Sequence, residues 1–134
     1  MHPQLQGAVH EAVQRNAKLL VQAGVRPVLF MSWAYKDKPE MTAQLAEQYT
    51  LAGHANDALV IPAGLAFAKA IARAIAKAIA KRPALALYEA DKRHPSMAGT
   101  YLAACTAYAA LYRKSPICAW PDERIHRFHL STFW

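Results

Sequence analysis

Cysteine is scarce in this chain. There are two, Cys105 and Cys118, too few for a disulfide framework. Cys105 falls in an apolar helical pattern and reads as a small buried residue. Long apolar runs are missing as well: Lys or Arg interrupts the Ala-rich 63–81 segment, and no uncharged apolar run is expected to be long enough to span a bilayer. The opening Met1-His2-Pro3-Gln4 has neither the basic nor the apolar region of a secretory leader, so the expected location is cytoplasmic. Acidic residues number nine against sixteen Lys and Arg, giving a formal charge of +7. Such an excess suits nucleic acid or an anionic surface. Here it gathers on one helix, with no interleaved aromatic side chains to stack on bases. A solvated helix face is the reading, with no specific nucleic-acid partner and membrane binding disfavoured.

What is present fits one domain of 134 residues. Residues 5–23 read as an amphipathic helix, with Leu5, Val9, Val13 and Leu20 near a 3.6-residue period and Gly24 as the stop. Val28-Leu29-Phe30-Met31 is a continuous apolar run of strand length, suited to a parallel strand covered on both faces. Residues 39–52 read as a helix with Pro39 near its start and Gly53 near its end, and residues 58–61 as a second short buried strand. Residues 63–81 form another helix, residues 85–88 extend briefly, and residues 96–112 form the last helix. The alternation predicts an α/β fold with parallel strands and flanking helices. Two strands are few for such a sheet. The chain is therefore expected to associate, as a homo-oligomer or with a missing N-terminal half, or to be only marginally stable.

Within residues 63–82 lies a low-complexity Ala/Ile/Lys repeat. Ile71, Ile75 and Ile79 share one stripe, and Lys69, Arg73, Lys77 and Lys81 the opposite side. At 1.5 Å per residue this helix runs to roughly 28 Å and is expected to project from the domain. Its apolar face is thin and has no aromatic anchor for a membrane surface. Residues 117–134 show no helical or strand period and read as an irregular basic, aromatic tail.

The chemistry concentrates in Asp91-Lys92-Arg93-His94-Pro95-Ser96. A carboxylate three residues before an imidazole can accept from one ring nitrogen and leave the other free as a base. Pro95 fits the first helical position, with Ser96 suited to capping. Glu89, Asp91 and His94 are also close enough in sequence to be considered as metal ligands, as are His126 and His129. Neither set has a Cys pair or a His-Glu-x-x-His helix in support, and no metal or cofactor is expected.

Asp91-x-x-His94-Pro95-Ser96, followed by Gly99-Thr100-Tyr101-Leu102-Ala103-Ala104-Cys105, resembles the last conserved block of SGNH (GDSL-type) hydrolases. The segments 26–33 and 58–64 are similar to that family's second half. The resemblance covers roughly residues 5–116. It implies part of a three-layer α/β/α, flavodoxin-like fold in residues 1–116, and a triad in which Asp91 orients the base His94. The Gly-Asp-Ser nucleophile block of the family is absent, as are the Gly and Asn blocks that would build its oxyanion hole. Of the serines present, Ser32 stands just past a strand's C-terminal end, the rim where open α/β sheets bind ligands, and is the candidate nucleophile. It lacks the sharp glycine turn of a nucleophile elbow. Trp33 and Tyr35 either line a pocket beside His94 or belong to the core.

Three functions follow. The first is an esterase acting on acyl or acetyl esters of small-molecule, carbohydrate or lipid substrates, completed by a nucleophile from elsewhere and inactive alone. The second is a catalytically silent binding or assembly module. The third is a basic-helix protein docking on anionic surfaces.

Overall fold

In the computed structural model, residues 3–78 and 86–116 are described. They form a mixed α/β fold: helix α1 (Pro3–Gln22), strand β1 (Val28–Phe30), helix α2 (Met41–Ala55), strand β2 (Leu59–Ile61), helix α3 (Ala63–Ala78) and helix α4 (Met97–Tyr112). The two strands pair in parallel, Val28 with Leu59, Leu29 with Val60 and Phe30 with Ile61. Crossing over through α2, β1 and β2 make the βαβ unit that the alternating pattern predicts. Among the described residues no helix is long and apolar enough to cross a membrane.

Helix α1 stops where the sequence puts its glycine. Gly24 adopts a φ of 74°. Val25 N–H then donates to Leu20 O and Gly24 N–H to Val21 O, both at 2.9 Å. This pair of bonds is the Schellman closure, which needs a residue without a Cβ penalty in the left-handed region. Gly53 behaves differently from the expected stop. It is buried inside α2, which continues to Ala55, and a Cβ there would strike the Val60 side chain. Close approach of β2 is its role. The helix ends instead on Asn56, whose Nδ2 donates to Ala52 O at 2.8 Å, and on Asp57 at φ 47°.

The core lies between α3, α4 and the segment entering α4. Ala63, Phe67, Ala70, Leu87, Tyr88, Leu102 and Ala103 are buried together, with Trp33 and Ile71 packed against them. Phe67 is 1% exposed and sits at the centre. Lys69 lies in solvent as the repeat's polar stripe requires, whereas Arg73 is half-buried. Residues 79–82 of the repeat, the start of the 85–88 segment, Cys118 and the whole 117–134 tail lie outside the described residues. Cys105 is buried.

The last helix corrects one expectation. Pro95 is not its first residue: it pairs with Tyr88 in an isolated antiparallel bridge, Ser96 is the N-cap, and Met97 opens the helix. A proline N-terminal to the cap keeps the preceding backbone extended, which is what a bridge needs.

Two glycines test the packing. At Gly64 a Cβ would run into the backbone of Ser32 and the Met31 side chain, whereas at Gly7, within α1, it would meet nothing within 4 Å. Gly64→Ala should lower the unfolding free energy by about 1–3 kcal/mol. Gly7→Ala should raise it by roughly 0.5–1 kcal/mol, the gain from replacing a helical glycine. Urea denaturation of both variants checks the contrast, and equal effects would contradict this packing.

Candidate functional site

The loop between Tyr88 and α4 is closed by its own backbone. Glu89 N–H donates to His94 O at 2.9 Å, and Lys92 N–H to Glu89 O at 3.0 Å. Lys92 takes up the reversal at φ 65°, a left-handed conformation uncommon for a lysine. Inside this turn Asp91 uses both carboxylate oxygens. Oδ1 accepts the amides of Arg93 and His94, at 2.9 and 3.0 Å. Oδ2 bonds Nδ1 of the His94 ring. The His94 ring and its own amide are therefore fixed by the same carboxylate.

The ring bond draws the Asp91 carboxyl well below the usual carboxylate range, with the two backbone amides adding to the effect. An ionised carboxylate only accepts, so Nδ1 carries a proton, and in the neutral ring Nε2 is then the nitrogen with the lone pair. Among the described residues nothing is bonded to Nε2. The His94 and Asp91 side chains are 79% and 46% exposed, so the pair presents its free nitrogen to solvent.

A second segment, the one leaving β1, holds this loop from outside. Lys36 N–H donates to Lys92 O at 3.0 Å, and the Trp33 indole N–H to Arg93 O at 3.0 Å. The Arg93 guanidinium lies 5.2 Å from the centre of the Tyr35 ring. Tyr88 O–H donates to Ala34 O at 2.6 Å. Burial pushes the Tyr88 hydroxyl up, which keeps it a donor. Trp33 in turn stacks on Phe67, with ring centres 4.6 Å apart, and Phe67 meets Tyr88 edge to face at 5.6 Å. Trp33 and Tyr35 are both half-buried, and Trp33 is at once a core residue and a neighbour of the His94 loop. The Lys92–Asp37 ion pair, at 4.0 Å between exposed side chains, adds little.

Ser96 caps α4 by accepting from Gly99 N–H at 3.2 Å, and its hydroxyl donates to Ala86 O. Its hydroxyl is committed to structure. Ser32 is exposed and lines a groove of about 440 Å³ between α1, β1 and α2, along with Val9, His10, Val13 and Tyr49. It makes no hydrogen bond to His94. Among the described residues no three His, Cys, Asp or Glu side chains converge to hold a metal, so Glu89 does not join Asp91 and His94 in a site. Asp91 has both oxygens engaged within its own loop. His126 and His129 lie outside the described residues.

Sequence reasoning missed Tyr88, Lys36 and Arg93 as supports of the loop. Their bonds join residues about as far apart as Trp33 and Arg93, sixty positions, and no local pattern announces them. No family model, curated protein or solved structure matches the chain.

Because the folded value of Asp91 is depressed, its bonds stabilise the loop fully above the ordinary value of 3.8 and are lost as pH falls from there through the folded value. Carboxyl-carbon NMR should give an Asp91 midpoint well below 3.8, returning towards it in His94→Ala. A wild-type midpoint at 3.8 would contradict the ring bond.

Proposed function

We propose that this chain carries the acid–base half of an SGNH-type ester hydrolase. His94 is its general base and Asp91 the orienting carboxylate. The observation that carries this reading is the bond from His94 Nδ1 to Asp91 Oδ2, which leaves Nε2 as the proton acceptor. In this reading the parallel β1–β2 pair and its helices are part of a three-layer α/β/α domain. The substrates are acyl or acetyl esters of small molecules, carbohydrates or lipids. Nε2 takes the proton of an attacking hydroxyl held at roughly 2.6–3.2 Å, and the resulting alkoxide adds to the ester carbonyl. That hydroxyl, and the donors for the carbonyl oxygen, come from another polypeptide segment. Without them the chain is silent, since the loss of each oxyanion donor alone removes about 3–4 kcal/mol of stabilisation.

A second reading, a non-catalytic assembly module, draws on a separate observation. The three described cavities, of about 210, 440 and 280 Å³, are lined by residues that include neither Asp91 nor His94. A base set apart from these three cavities acts on no substrate held in any of them.

Hydrolysis of nitrophenyl acetate separates the cases. The isolated chain should be no faster than free imidazole at matched concentration, with no burst. The small increment due to His94, read as wild type minus His94→Ala, should shrink several-fold in Asp91→Asn, where the ring tautomer is no longer fixed. An unchanged increment would deny Asp91 its orienting role. A burst abolished by His94→Ala would make the chain a complete enzyme and Ser32 its nucleophile.

A further inference from the structure

A general base needs a hydroxyl held against it, whereas a nucleophile needs only access to its electrophile. His94 offers that access. Its side chain is 79% exposed, and among the described residues nothing bonds Nε2. The ring is nonetheless fixed. Asp91 Oδ2 holds Nδ1 while Oδ1 takes the amides of Arg93 and His94, so ring and backbone are anchored to one carboxylate. In the neutral ring the lone pair then sits on the exposed nitrogen. An imidazole in that state is a nucleophile in its own right.

The surroundings favour an electrophile that brings negative charge. Bond formation at Nε2 puts positive charge on the ring, and the Asp91 carboxylate balances it through Nδ1–H. On and beside the loop, Lys92 is paired with Asp37, which leaves Arg93 and Lys36 as cations without an ion pair among the described residues, against one such carboxylate, Glu89. The Arg93 guanidinium lies 5.2 Å from the centre of the Tyr35 ring. A guanidinium can stack on a ring and still offer its N–H groups to phosphate oxygens. Two residues beyond His94, Ser96 caps α4, whose N-terminal end favours negative charge.

We infer that His94 Nε2 is a phosphoryl-acceptor site, loaded from a donor of the phosphoramidate class. The Nε2 lone pair forms the new N–P bond as the donor's own P–N bond breaks. The donor's nitrogen, protonated beforehand, departs with that bonding pair as a neutral amine. Nothing is oxidised or reduced. The ring keeps its Nδ1–H on Asp91, and its new positive charge faces that carboxylate. The donor arrives from solution, so the step needs neither a serine nor one of the described cavities. The inference shares the ring bond with the hydrolase reading and uses none of the parts that reading takes from another segment.

Incubation of the full chain with phosphoramidate tests it, with the label assigned to ring nitrogens by ³¹P NMR and to residues by mass spectrometry. His94 should be labelled at Nε2, several-fold faster than His54, which is exposed on α2 and has no carboxylate bonded to its ring among the described residues. That comparison needs no variant. Asp91→Asn keeps an oxygen for the two loop amides but puts a donor against Nδ1, which moves the ring proton to Nε2. It should bring His94 down to the rate of His54. Equal rates at the two histidines in the wild type, labelling of His94 at Nδ1, or a rate unchanged in Asp91→Asn would each overturn the inference. The readout is an N–P bond and not ester hydrolysis, so this inference and the hydrolase reading fail separately.

Discussion

The stack of Trp33, Phe67 and Tyr88 is the constraint on which the rest of this structure depends. Phe67 comes from α3, and its two ring partners belong to segments far apart in sequence. Each partner carries a polar handle that bonds across to the other's segment: the indole of Trp33 to Arg93 O, and the hydroxyl of Tyr88 to Ala34 O. Apolar burial and two directional bonds thus lock the exit of β1 against the Asp91 loop. Aromatic side chains suit this task because they bury large areas while keeping one donor for a specific acceptor. The His94 ring inherits its position from that lock, through a carboxylate whose loop cannot shift without breaking bonds on both sides.

Much of the local structure was legible in the sequence. The four-residue apolar spacing, the Val-Leu-Phe-Met run and Gly24 each state a local preference, and local preferences decided those elements. The errors share one cause. Gly53 reads as a helix stop and Pro95 as a helix start, because those are the common local uses of the two residues. Tertiary packing gave them other work: Gly53 admits Val60, and Pro95 pairs with Tyr88. The Asp-x-x-His spacing announced the Asp91–His94 contact, since three residues across a turn bring the groups together. The struts that hold that turn were illegible, because they are contacts between distant segments and no single residue type signals them.

Among the described residues the sheet has two strands, and no further strand pairs with the outer edge of β1. The β1 edge and the face of α1 are apolar surfaces that an α/β layer normally covers. Their exposure and the solvent-facing Nε2 of His94 lie in different parts of the fold, the groove being lined by Ser32 and not by the Asp91 loop. The site and the surface are thus separable features of the described fold.

The central claim is that Asp91 holds His94 as the Nδ1–H tautomer with Nε2 unprotonated. Long-range ¹H–¹⁵N NMR of the histidine rings, at a pH where His94 is neutral, tests it most directly. The account predicts that His94 Nδ1 shows the shift of a protonated nitrogen and Nε2 that of a bare one, with the preference lost in Asp91→Asn. A ring protonated at Nε2, or two averaged nitrogen shifts unaffected by Asp91→Asn, would contradict it.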